Sequence, residues 1–294
     1  MFEQRRLMFL YAVSPVHVGA STALGVIDNP IQREKHTDHP MIAGSGLKGA
    51  LRSVASGKVG DLSTTEVFGP EARDDLHAGA ASFADAQLVT FPVRSPRHGF
   101  VYATSALALG RLARLMGVVN SAADWKIPEP APNEAATCAA QDGDKLDLEL
   151  FQYSAEASED VKAIATWLAE NAFPAGDEHD YFRNKILRDL VVLPEDDFGY
   201  FVKHSTSVEP HVRINDETGT ADDGGLFFTE NLPPEAILAS VCMASRVRSR
   251  NGSADAAAVM QALRVEYDGK LVQVGGDSTT GRGHVVIRFG GETP

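Results

Sequence analysis

Nine residues near the N-terminus, Arg5 to Val13, place the strongest limit on the fold. Leu7, Phe9, Tyr11 and Val13 alternate onto one face of an extended chain, and Met8, Leu10 and Ala12 onto the other. Both faces are apolar, so this strand should lie centrally in its sheet. From Ser45 the spacing changes: Leu47, Ala50, Leu51 and Val54 fall on one face of a helix that Gly57 closes. Ala80 to Arg94 reads as strand and turn, and Tyr102 to Met116 as a helix ended by Gly117. Ala122 to Gln141, rich in Pro and Ala, reads as irregular, with a short strand over Leu146 to Phe151. Val161 to Phe173 and Tyr181 to Leu193 read as amphipathic helices, with Trp167 in the core.

Further on, Phe198 to Ile214 is strand-like and divided by Pro210, and Ala236 to Val247 returns as a strand. Between them a polar, glycine-rich top over Asn215 to Gly225 makes a long hairpin. Ala254 to Val265 is a helix, and Leu271 to Val274 and His284 to Phe289 are strands joined by a glycine loop. Strands, a helix and strands again, recurring in the second half, predict an α+β fold with a ferredoxin-like or RRM-type antiparallel sheet. Residues 1–117 and 195–294 would form the core with its protruding β-hairpin, and 118–194 a mainly helical insertion.

A formal net charge of −13 counts against a general nucleic-acid binder. Its distribution is uneven: Arg33, Lys35, Lys48 and Arg52 form one local basic group, and Arg246, Arg248 and Arg250 another. The latter alternate with Val247 and Ser249, which would put three guanidiniums on one strand face, against protein or RNA. No apolar run approaches the ~20 residues of a membrane span, and the first residues read as a strand, not a signal peptide. Two distant cysteines, Cys138 and Cys242, fit a reducing cytoplasm and no cysteine metal cluster.

Candidate chemistry concentrates between Ser14 and Arg52. A loop this long in a folded domain is usually functional, and Val18, Leu24, Val26, Ile27, Ile31, Met41 and Ile42 would tether it. Gly44, Ser45 and Gly46 open the helix that carries Lys48 and Arg52, so its free amides and those cations form an anion site, with Arg33 and Lys35 beside it. The loop Gly276 to Gly283 nearly matches a nucleotide-binding P-loop. It lacks the Lys-Ser/Thr ending, however, and runs into a strand where that motif needs a helix. Gly276, Ser278, Thr279, Thr280 and Arg282 suit an RNA backbone better. By spacing alone Asp28, before Asn29-Pro30, is first a turn former, and His17, at a strand end, first a structural histidine. With His36 and His39, His17 makes no zinc pattern.

The run HVGASTALGVIDNPIQREKHTDHPMIAGSGLKGALR, His17 to Arg52, resembles the N-terminal block of the RAMP superfamily of CRISPR systems. GGDSTTGRGHVVI, Gly275 to Ile287, resembles that family's C-terminal glycine loop and closing strand. The nearest likeness is to the Cmr-type backbone subunit of type III-B effector complexes, cousin of the Csm-type one. This resemblance implies a RAMP fold and a cytoplasmic subunit that polymerises in a helical filament along crRNA and cuts the paired target RNA at regular intervals. Its partners would include the large polymerase-like subunit and the small helical subunit. It further implies that Asp28 is the acid needed for cutting, as a ligand of Mg2+ or Mn2+ or by helping to deprotonate the 2′-hydroxyl, leaving a 2′,3′-cyclic phosphate and a 5′-hydroxyl. His17 and Glu230 resemble accessory residues of that site. Two other readings stay open: a purely structural ribonucleoprotein subunit, and a stand-alone RAMP endoribonuclease that processes the guide precursor.

Overall fold

The computed structural model describes residues 2–20, 25–71, 76–122, 125–250 and 252–291. Strand β1 (Gln4–Ala12) is followed, after the long loop, by β2 (Met41–Ile42) and helix α1 (Gly44–Val54). A small hairpin of β3 (Lys58–Val59) and β4 (Leu62–Ser63) and a short α2 (Thr64–Phe68) lead to β5 (Ala81–Phe83), β6 (Ala86–Ser95) and β7 (Gly99–Ser105). Next come α3 (Ala106–Val118), β8 (Glu134–Thr137), β9 (Lys145–Leu148) and β10 (Phe151–Ala157), then α4 (Glu159–Asn171), α5 (Asp180–Asp189) and β11 (Leu190–Leu193). The rest of the chain holds α6 (Glu195–His204), β12 (Ser207–Ile214), β13 (Ala221–Asn231), β14 (Ile237–Ala244), α7 (Ala256–Tyr267), β15 (Leu271–Gln273) and β16 (His284–Gly290).

One large sheet runs β15-β16-β1-β14-β6-β7-β11-β8-β10-β9. At its centre β16, β1, β14 and β6 are antiparallel neighbours. The chain passes through α1 between β1 and β6, and through α7 between β14 and β16. Two strand–helix–strand halves interleaved in this way are the ferredoxin-like arrangement. β1 is central, as its two apolar faces require. Leu7, Phe9 and Tyr11 join Leu109, Ile164, Leu168 and Ile186 of α3, α4 and α5 in one core. Met8, Leu10 and Ala12 join Leu47, Leu51, Val259 and Leu263 of α1 and α7 in the other. Burial of each large side chain there contributes on the order of 2 kcal/mol.

Several boundaries differ from the sequence expectation. Tyr102 to Ser105 ends a strand; Ser105 then caps α3 by accepting from the Ala108 amide, and the helix runs to Val118. The helix expected to reach Leu193 stops at Asp189, because the apolar run Leu190–Leu193 pairs with β7 and β8. Phe198 begins no strand. It lies in α6, with Phe201 and Val202 on its buried face and Glu195, Asp196 and Asp197 favourably placed in its first turn. Ala122 to Gln141 contains β8, and Arg246 to Arg250 follow β14 as a loop and turn. Residues 118–194 supply β8 to β11 as well as α4 and α5, so they continue the core sheet past β7. β12 and β13 pair as a separate two-stranded hairpin outside the large sheet.

Candidate functional site

The long loop folds against the base of this hairpin. Val16 and Leu232 form an antiparallel bridge, and Asn29 and Thr229 a parallel one, so two pieces of loop flank the edge of β13 that β12 leaves open. Within the loop Gly19 bridges Ile31 and Arg33 bridges Pro40; Val18, Ile31 and Ile42 are buried anchors, as expected. Val26 is not an anchor, being 91% exposed, and Leu24 lies outside the described residues.

Asp28 and His17 are brought together by β13. Asp28 Oδ2 accepts the Phe228 amide at 2.7 Å, leaving Oδ1 without a partner among the described residues. His17 Nδ1 lies 2.7 Å from the Glu230 carbonyl oxygen, so Nδ1 carries the proton and Nε2 is the ring atom left for other contacts. Phe228 and Glu230 are two residues apart on one strand edge, a separation of about 7 Å. The glycine loop closes the other side. Gly276 donates to the His17 carbonyl oxygen at 2.8 Å, and a Cβ on Gly275 would meet that oxygen at 2.2 Å. With φ of +87° as well, Gly275 tolerates no side chain.

Glu230 does not face the opening. It is 2% exposed, and its carboxylate receives the Arg33 guanidinium at 2.5 Å, the Thr206 hydroxyl at 2.8 Å and the Ile31 amide at 3.0 Å. These contacts give it the geometry of a positioning residue, which fits the accessory role that the resemblance implies. The expectation that Arg33 contacts RNA is corrected: besides Glu230 it donates to the carbonyls of Asp38 and Val202, and this buried clasp consumes its charge.

Other expected RNA contacts are distributed as follows. Ser45 is exposed at the start of α1, and Lys48 is half-buried one turn on. Burial, and then the Arg52 charge, hold Lys48 below the ordinary lysine range. The helix mouth is only partly free, since the Gly44 amide donates to Asp85 Oδ1 at 2.7 Å. Gly44 is required by packing, because a Cβ there would meet the Phe83 carbonyl oxygen at 2.3 Å; Gly46 faces open space. Arg52 donates to the Gly69 carbonyl at 2.8 Å, with exposed Glu71 3.7 Å away. Lys35 is exposed on the loop. α1 packs against β15, the strand that enters the glycine loop. Gly276 is exposed, as are Ser278, Thr279 and Thr280 on the single 3-10 turn that follows, while Arg282 pairs with Glu209 of β12.

Sequence reasoning missed Glu209, Asp85 and the ring stack of His211 on Phe227, 5.1 Å apart and 15° from parallel, on the hairpin. The β12–β13 register, which pairs His211 with Phe227, was the missing signal. Among the described residues no three His, Cys, Asp or Glu side chains form a metal-ligating group.

The sequence profile of the RAMPs, the RAMP superfamily, matches residues 9–286. The CRISPR system Cmr endoribonuclease Cmr4 of Pyrococcus furiosus is 36% identical over 96% of this chain and 94% of its own length. The crystal structure of oligomeric Cmr4 from the same organism superimposes with a TM-score of 0.74 at 27% identity, covering 99% of both chains. A chain in a cryo-EM structure of the type III-B Cmr-beta complex bound to cognate target RNA shares the fold, with a TM-score of 0.74 at 20% identity over 98% of each chain. Profile, full-length relative and the interleaved sheet agree: this chain belongs to the RAMP superfamily, in its Cmr4 group.

Proposed function

We propose that the chain is the repeated backbone subunit of a type III-B CRISPR complex, binding crRNA in a filament of its own copies and cutting target RNA at regular intervals. The observation that carries this reading is the anchoring of Asp28 and His17 side by side on the base of the β12–β13 hairpin, beside the glycine loop. Exposed Val212, Ile214 and Leu226 and the His211–Phe227 stack give the hairpin an apolar surface that can part a guide–target duplex and splay a base. At the splayed step the target's 2′-hydroxyl attacks its own phosphorus. The new O2′–P bond forms as P–O5′ breaks, leaving a 2′,3′-cyclic phosphate and a 5′-hydroxyl. Asp28 Oδ1 takes up the 2′-hydroxyl proton, and His17, acting as the imidazolium with Nδ1–H still on the Glu230 carbonyl, gives its Nε2 proton to the departing 5′ oxygen.

A Mg2+ or Mn2+ ion would find one protein carboxylate here, Asp28, and no ready-made shell. The described residues do not make a metal site by themselves, so an ion held at Asp28 would take the rest of its shell from RNA oxygens and water and would supply positive charge at the scissile phosphate. No helix among the described residues is long and apolar enough to cross a membrane; a cytoplasmic location and the large polymerase-like and small helical subunits as partners belong to the same proposal.

The test is Asp28→Asn against Asp28→Ala in the purified assembly. Asparagine keeps an oxygen for the Phe228 amide, so the loop stays seated while the charge is lost. Both variants should bind guide and target normally and fail to cut. Normal cutting by either removes Asp28 from the chemistry and favours a structural subunit; cleavage of guide precursor by the isolated chain in EDTA would favour the stand-alone enzyme.

A further inference from the structure

The loop between β14 and α7 carries charge that the site above does not use. Val247 is 6% exposed and plugged into the core, and its amide donates to Ala254. Arg246 and Arg248, on either side of it, are both exposed. A tight turn follows: Gly252 donates to the Ser249 carbonyl, and a Cβ on Gly252 would meet Val247 Cγ1 at 2.2 Å. Together with Ser249, Ser253 and Gly252 the two arginines line a cleft of about 490 Å3. Neither guanidinium has a carboxylate partner among the described residues; Arg248 makes one long bond, 3.4 Å, to the Ser245 hydroxyl. Asp255 is turned away, accepting from the Ala258 amide at the start of α7.

This cleft is joined to the basic face of α1. Arg52 bonds the Gly69 carbonyl, Gly69 lies against Gly79, and the Ala80 carbonyl accepts from the Ser245 amide next to Arg246. The cleft also lies at the far end of β14 from the hairpin base. Eight residues of strand separate the two ends, about 27 Å. We propose that Arg246 and Arg248 form a second phosphate-contact surface, which continues the single-stranded RNA path from Lys48 and Arg52 to the opposite end of the sheet. The proposal rests on the reading of α1 as an RNA contact. RNA is favoured over a protein partner because the lining is guanidinium, hydroxyl and glycine with its one large apolar side chain buried, whereas protein interfaces centre on exposed apolar anchors.

The experiment measures oligo-uridine binding to the purified full-length protein across a salt series. Arg246→Ala plus Arg248→Ala should weaken binding and flatten the log–log salt slope by about 1.4, two contacts at about 0.7 each. Arg246→Lys plus Arg248→Lys should keep most of the slope. Lys48→Ala is the control for α1, and should flatten it by about 0.7. An unchanged slope in the double alanine variant with a flattened one in Lys48→Ala overturns this proposal alone. Unchanged slopes in both overturn it together with the RNA reading of α1. Loss of oligomerisation at unchanged slope identifies a protein contact and also overturns it.

Discussion

Glu230 offers a prediction that separates positioning from chemistry. Glu230→Gln removes the charge facing Arg33, whose side chain is 17% exposed, and leaves that guanidinium facing a neutral amide in a nearly closed site. Removing one partner of a buried pair costs 3–5 kcal/mol. Some solvent reaches Arg33, and its two carbonyl acceptors remain, so about 3 kcal/mol is the expected loss, a fall of roughly 6–12 °C in Tm. Target cleavage should fall with it, because the Ile31 amide and the loop carrying Asp28 are tied to the same carboxylate. The second arm is Glu230→Gln with Arg33→Met. The buried charge is then gone, and what remains is two unmet carbonyls at about 1 kcal/mol each. The double variant should therefore be more stable than Glu230→Gln alone and recover part of its cleavage. The assays are thermal melting of the purified chain and target cutting by the reconstituted assembly. Recovery of Tm without any recovery of cutting would refute the argument and return Glu230 to the chemistry.

Two further predictions concern pH. Burial, and then the nearby Arg111 charge, push His39 down from 6.5 to about 4, so the unfolded chain binds the extra proton between those values. Stability is complete above 6.5 and is lost towards pH 4, by about 3 kcal/mol, and His39→Phe, keeping the edge-on contact with Phe198, should flatten the decline in Tm over that range. Glu235 has the opposite sign: burial raises it to about 7, so the fold holds its proton and loses stability as pH rises from 4.5 through 7. Glu235→Gln should raise stability by about 3 kcal/mol at pH 8 and leave it unchanged at pH 4.5; equal effects at both would refute the assignment.

The parts of the fold that the sequence discloses are those whose signal is local. β1 is legible because its two-faced alternation admits one environment, and α1 because Leu47 and Leu51 repeat at helical spacing before Gly57. α6 was equally local, with Phe198, Phe201 and Val202 behind three acids, but the strand-like residues and Pro210 after it drew the whole stretch into one strand. β11 was lost because four apolar residues after a helix also prolong its buried face; only pairing with β7 separates the two cases. The site behaves differently. Asp28 and His17 stand out as residue types, yet what unites them is a strand about 200 residues away. Arg33 and Arg282 looked like phosphate ligands because the carboxylates that engage them, Glu230 and Glu209, are also non-local.

Those pairings bear on how a chain of charge −13 can hold RNA. Counting cations overstates the grip, because Arg33 is spent inside the protein and Arg282 is held by Glu209. Of the cations expected to touch RNA, Lys35, Lys48 and Arg52 remain on the long loop and α1, and Arg246 and Arg248 at the far end of the sheet. Exposed backbone of the glycine loop adds dipoles that do not alter net charge, and Gly46 leaves room for close approach. One subunit so equipped should bind a single strand weakly, and a row of them along one strand strongly, since every further copy adds its few contacts to an RNA already held. Acidity elsewhere on the surface then restricts RNA to this narrow path, and the Arg282–Glu209 pair acquires a physical sense. A phosphate reaching the glycine loop would have to compete with Glu209 for Arg282, so RNA seated there would loosen a tie between that loop and the hairpin, beside the two side chains proposed to cut.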